Sequence, residues 1–232
     1  MDDNKNKEND IEVVIGDNTD LTFSEVEDII EELKPKVEKK SNIIIPKVKK
    51  QTTKKDDSLL IVDPAMADNG KLYPGFDGEF VEAMKQLCGN ADYMIPNITE
   101  ACFLTDLEYR TEYDEAYVNK LIDGLRRLGC KNIIFTGISY AKDKTGVLVC
   151  EGERCAYYEH VKLPNSCHGT GDIYASAFVG ALMKGKTAYD AAKIAANYTV
   201  ECIRSTAEEE NHWYGAKFEP VLDKLIAAVN EE

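Results

Sequence analysis

No apolar run in the 232 residues approaches the ~20 that a helix needs to cross a bilayer. The apolar runs are short, such as Leu59-Leu60-Ile61-Val62 and Ile133-Ile134-Phe135, so no membrane span is expected. The opening Met1-Asp2-Asp3-Asn4-Lys5 lacks the basic start and apolar stretch of a secretory signal, which implies a cytoplasmic location. Basic residues are scarce: 28 Lys and Arg face 42 Asp and Glu, a net charge of −14 that argues against nucleic acid as a partner. The three histidines, His160, His168 and His212, show no metal-ligand spacing. The seven cysteines lack any CxxC pair and read as reduced thiols, neither a disulfide framework nor a zinc site.

Residues 1 to 57 also lack arginine, and Phe23 is their only aromatic, while 11 Lys and 15 Asp or Glu fill the segment. This composition reads as a charged, largely solvated segment. Within it Val26, Ile29, Ile30 and Leu33 fall at helical spacing before Pro35, and Ile11 to Ile15 and Ile43 to Ile45 read as short strands.

From Ser58 the character changes. Strand-like runs at Leu59–Val62, Tyr93–Ile95 and Asn132–Thr136 alternate with helical ones near Phe80–Leu87, Asn97–Leu104 and Asp114–Leu128. Antiparallel strands are expected at Val147–Cys150 and Cys155–His160, and helices at Gly171–Met183, Ala188–Ile203 and Phe218–Val229. The alternation predicts an α/β fold with a largely parallel central sheet flanked by helices, over 58–232.

Three motifs carry chemistry. In His168-Gly169-Thr170-Gly171-Asp172, glycines open directly into an apolar helix. Glycines let backbone N–H groups approach a ligand, and a helix N-terminus favours negative charge, so Gly169, Thr170 and Gly171 are candidates for an anion hole. Asp172 beside them is placed to take the proton of an alcohol, although acidic residues suit any first helical turn. In Pro96-Asn97-Ile98-Thr99-Glu100, the spacing alone reads first as a capping box. At the carboxyl end of a strand, Asn97 and Glu100 are also candidates for nucleotide phosphates and Mg2+. Asp63-Pro64-Ala65-Met66-Ala67-Asp68-Asn69-Gly70 puts Asp63 and Asp68 after a buried strand as further metal candidates, with Asp68-Asn69-Gly70 read as a loop turn. Thr136 and Gly137, ending another strand, offer a hydroxyl and an amide to phosphate. Gly180 to Thr187 spells a P-loop, but no strand precedes it, so it reads as a helix end and the next helix's cap.

These motifs, in this order, resemble the ribokinase superfamily, closest to its bacterial pyridoxal kinase branch, over about residues 58–232. The resemblance implies a ribokinase-like fold truncated on its N-terminal side, where relatives usually have eight or more strands and the early half supplies most contacts to the pyridoxal ring. It implies a homodimer and transfer of the ATP γ-phosphoryl group to the hydroxymethyl of pyridoxal, pyridoxine or pyridoxamine, with Asp172 as base. Asn97, Glu100, Thr136 and Gly137 would lie on the nucleotide side and Asp63, Asp68 and Glu100 around Mg2+, with room for a monovalent cation. Two alternatives stand beside it. One is hydroxymethylpyrimidine kinase, whose members often carry Cys where this chain has Asp172; the other is a non-catalytic nucleotide-binding remnant.

Overall fold

The computed structural model describes residues 12–13, 58–164, 167–209 and 214–231. The helix expected around 23–33 and the strand at 43–45 lie outside them. The order is β1 (Glu12–Val13), β2 (Leu60–Val62), β3 (Ala67–Asp68), β4 (Lys71–Leu72), α1 (Gly78–Gly89), β5 (Tyr93–Met94), α2 (Ile98–Thr105), α3 (Glu115–Leu128), β6 (Asn132–Ile138), β7 (Lys144–Glu151), β8 (Arg154–Val161), α4 (Thr170–Met183), α5 (Ala188–Ala207) and α6 (Leu222–Asn230).

Among the described residues the main sheet has six strands in the order β1-β2-β5-β6-β7-β8. The first four run parallel, and β7 and β8 close it antiparallel. The strand expected near Ile11–Ile15 is β1, so the sheet begins inside the charged segment, with Glu12 opposite Leu60.

Side chains alternate across a strand with period two, and the sheet is covered on both faces. Val62, Met94, Ile133 and Phe135 pack with α1, α2 and α3. Ile61, Ile95, Ile134, Val147 and Val149 pack with α4 and α5. The first group of helices lies in the crossovers β2–β5 and β5–β6, which right-handed connection places on one face. Helix α3 shows why its sequence folds there. Asp114 caps it by accepting from Tyr117 N at 2.9 Å, and Val118, Leu121, Ile122 and Leu125 form its buried stripe.

Helices α1 and α3 end against each other through glycine. A Cβ on Gly129, which has φ +124°, would stand 2.6 Å from the Gly89 carbonyl oxygen, and one on Gly89 would run into the Leu128 carbonyl. This back-to-back contact sets how closely α1 approaches α3.

One expectation, the turn at Asp68-Asn69-Gly70, is met, and one, the reduced state of all the cysteines, is corrected. Asp68-Asn69-Gly70 is the tip of the β3–β4 hairpin, with Asn69 (φ 50°) and Gly70 (φ 76°) both left-handed as a type I′ turn requires. Cys150 and Cys155 are disulfide-bonded: they face each other across the β7–β8 hairpin, a register that brings their Cα atoms to 4.1 Å. The other five cysteines are free, four of them buried. The P-loop lookalike is a helix junction. Gly185 (φ 87°) follows α4 in a Schellman arrangement, with Lys186 N donating to Ala181 O and Gly185 N to Leu182 O. Thr187 then caps α5.

Candidate active site

Three parallel strands deliver their carboxyl ends to one edge. Ile95 N donates to Val62 O at 2.9 Å and Thr136 N to Pro96 O at 2.9 Å, so Asp63 and Asn97, just after β2 and β5, lie side by side with Thr136 near the end of β6. In open α/β sheets this edge is where ligands bind. The ladder slips between Phe135 and Ile138, at Thr136-Gly137, where Gly137 has φ 73° and open space where a side chain would stand. The Thr136 hydroxyl donates to Pro96 O at 3.2 Å.

Asn97 and Glu100 form a complete capping box. Asn97 Oδ1 accepts from Thr99 N and Glu100 N, and Glu100 Oε2 accepts from Asn97 N at 2.8 Å. Both residues also reach the preceding loop: Glu100 Oε1 accepts from Met66 N at 3.2 Å, and Asn97 Nδ2 donates to Ala67 O at 2.9 Å. Thr99 adds a third tie, its hydroxyl accepting from Gly70 N. The motif therefore pins the β3–β4 hairpin to α2, and Glu100 is buried, 3% exposed.

The carboxylates crowd. Burial, reinforced by the charge of Asp172, pushes the Asp63 carboxyl up to about 6. Burial outweighs the backbone donors on Glu100 and, with Asp63 nearby, pushes it up to about 8. Tyr73, just after β4, is raised by partial burial and by Asp68, Glu100, Asp63 and Asp172 together. Tyr73 was not singled out in the sequence. Its signal is its position five residues beyond Asp68, at the end of a hairpin that only the Asn-Gly pair announces.

The expected metal set is not assembled as a cage. Among the described residues no three His, Cys, Asp or Glu side chains gather tightly enough to hold an ion. Asp68 is exposed, and its two oxygens accept from the backbone and side-chain nitrogens of Asn69. Glu100 is committed to the amides above. Mg2+ nevertheless fits this edge, because it keeps most of its waters and needs only one or two carboxylates, and the charge acting on Asp63 and Tyr73 is negative.

Asp172, in the first turn of helix α4, is near enough to Asp63 for its charge to raise that carboxyl, which brings the start of α4 to the same edge. Gly169 caps it in the left-handed conformation (φ 81°), and nothing lies within 4 Å of a Cβ on either Gly169 or Gly171. The first helical bond of α4 runs from Ile173 N to Gly169 O, so the amides of Thr170, Gly171 and Asp172 precede the helical ladder. Asp172 is exposed in this first turn. The segment after residue 213 sits alongside, Ala216 N donating to His168 O at 2.9 Å. The arrangement joins an amide cradle for an anion, an exposed carboxylate beside it and a cluster of acids suited to a hydrated cation.

Comparison with known proteins bears on this edge. A family model described as phosphomethylpyrimidine kinase matches residues 19–217. A pyridoxal kinase of Dictyostelium discoideum is 29% identical over 145 residues, covering 57% of this chain and 46% of that protein. A hydroxymethylpyrimidine/phosphomethylpyrimidine kinase of Bacillus subtilis is 26% identical over 189 residues, covering 78% and 68%. The crystal structure of a Bacteroides thetaiotaomicron protein provisionally assigned as a phosphomethylpyrimidine kinase is 32% identical with TM-score 0.70, covering 75% of this chain and 61% of that one. A second crystal form of that protein was solved with pyridoxal. The chain thus spans less than two thirds of the length of the Dictyostelium and Bacteroides relatives.

Proposed function

Since the chain belongs to the phosphomethylpyrimidine kinase family, we propose that it transfers the γ-phosphoryl group of ATP to the hydroxymethyl group of a B6 vitamer, pyridoxal or a close relative. The observation that carries this reading is the meeting, at one sheet edge, of the open amide cradle at Gly169–Gly171, the Asp172 carboxylate and the partly buried Asp63. Phosphoryl transfer needs positioning, neutralisation of charge and a base for the attacking hydroxyl, and the three features correspond to these needs.

In this reading Asp172 accepts the hydroxyl proton as the acceptor oxygen forms its bond to the γ-phosphorus and the bond from that phosphorus to the bridging oxygen of ADP breaks. The amides of Thr170 and Gly171 receive charge on the transferring group, and Thr136 and Gly137 lie on the nucleotide side. Asp63 would hold Mg2+, with Asp68 and Glu100 adding negative charge nearby; the ion would supply neutralisation of the phosphates. Asn97 and Glu100 act by holding the hairpin in place. A B6 vitamer is favoured over hydroxymethylpyrimidine by the aspartate at 172 and by the pyridoxal seen with the Bacteroides relative.

The test is acceptor-dependent ADP formation from Mg-ATP by the purified chain, with pyridoxal and hydroxymethylpyrimidine as rival acceptors and Asp172→Asn alongside. Pyridoxal-dependent turnover that falls at least about a hundredfold in the variant is expected, the loss typical of removing a general base. Turnover with hydroxymethylpyrimidine alone would move the assignment to that substrate. A folded chain that binds ATP but turns over neither would make it a nucleotide-binding remnant.

A further inference from the structure

The β7–β8 hairpin holds a second chemically active group. Cys150 and Cys155 are directly opposed, separated by Glu151, Gly152, Glu153 and Arg154, with Gly152 (φ 58°) at the first central position of the turn. The two residues differ in access: Cys150 is 0% exposed, whereas Cys155 is an exposed residue of β8.

Arg126 of α3 reaches this hairpin. Its Nη2 donates to Gly152 O at 2.6 Å and lies 3.5 Å from Cys155 Sγ, and its Nη1 is 3.7 Å from Glu153. A guanidinium beside a sulfur favours the thiolate, the form that takes part in thiol–disulfide exchange. The hairpin therefore presents one exposed cysteine, one buried one, and a cation beside the sulfur of the exposed one.

We propose that Cys150 and Cys155 form a reversible dithiol–disulfide couple that exchanges with small-molecule thiols through the Cys155 sulfur. A thiolate attacks Cys155 Sγ; the bond to Cys150 breaks, and Cys150 leaves as a thiolate that takes a proton, giving a mixed disulfide at Cys155. A second thiolate attacks the sulfur of the bound small thiol and releases Cys155 as a thiolate beside Arg126. The sum is one protein disulfide reduced and two small thiols oxidised to their disulfide. The couple is separate from the phosphate edge: Cys150 pairs with Ile133, three residues and about 10 Å along β6 from Thr136.

The experiment is intact-mass analysis of the full chain. Alkylated under denaturing conditions without reductant, the protein is expected to carry five adducts, matching its five free cysteines, and seven after dithiothreitol. The native protein equilibrated with reduced and oxidised glutathione, then acid-quenched, should convert both residues together in one two-electron step. In Cys150→Ser the glutathione adduct should map to Cys155, and in reduced Arg126→Gln alkylation of Cys155 should slow by a factor of a few. Seven adducts without reductant would overturn the proposal, as would a bond that stays closed in native protein across the glutathione series, or an adduct at Cys167 in place of Cys155. The wild-type series needs no variant, and none of the readouts depends on kinase activity.

Discussion

Asp63 and Glu100 hold protons more tightly in the folded chain than an unfolded chain would, at about 6 and about 8 against 3.8 and 4.5. Between those pairs of values the folded state binds more protons, so stability falls as pH rises. For Asp63 the window runs from about 4 to about 6, and for Glu100 it extends to about 8. A two-unit shift corresponds to about 3 kcal/mol, and 1 kcal/mol to roughly 2–4 °C in a chain of this size. The thermal midpoint, followed by circular dichroism, is therefore expected to drop by several degrees between pH 5 and pH 8. Asp63→Asn should flatten the lower part of that slope, and Mg2+ should flatten it in the wild type. A midpoint indifferent to pH would remove the acid cluster from the site. At this scale the sequence was legible for Asp63 and Glu100 as strand-end acids, because polar residues after buried strands have few other reasons to be there. The proton affinities were not legible, since they depend on burial that only packing creates.

Glycine decides the contact between α1 and α3. Gly89→Ala would place a methyl group against the Leu128 carbonyl, and Gly129→Ala would add a strained positive φ to a similar clash. Each is expected to cost roughly 1–3 kcal/mol, the range for overpacking a close contact, read as a lowered urea midpoint with unchanged slope. Restored stability in Gly89→Ala would show that the helices shift apart freely. Elements were the most legible scale. Helix α3 announced itself by Asp114 and its stripe of Val118, Leu121, Ile122 and Leu125, and the false P-loop was exposed by the lack of a preceding strand. The β3–β4 hairpin was missed because two-residue strands carry no periodicity, leaving only Asn69-Gly70 to signal the turn. The Cys150–Cys155 bond was missed because a four-residue spacing means nothing until the strands on either side are paired in register.

At the scale of the molecule, β1 shields β2. A chain lacking residues 1–57 would lose Glu12–Val13 and bare the β2 edge, with Leu59 already 36% exposed beside it. Unpaired edges template association, so that truncated chain is expected to elute from size exclusion at a larger apparent mass than the full chain. Equal elution would show that the pairing carries no weight. The alternation of strands and helices made the two-faced parallel sheet legible. The place of β1 within it was weaker in the sequence, because a few apolar residues in a charged segment become a strand only through the partner they find.

The Pro96–Glu100 motif serves the fold and the candidate chemistry with the same atoms. A lineage that gave up catalysis would still be selected to keep Asn97 and Glu100, since losing them would untie the hairpin from α2. Asp172, exposed and contributing to the fold only through the favourable placement of an acid in a first helical turn, has no such insurance and would drift early. Among descendants of this chain, the residue at 172 rather than the neighbouring motif would be the marker of selection for the proposed reaction.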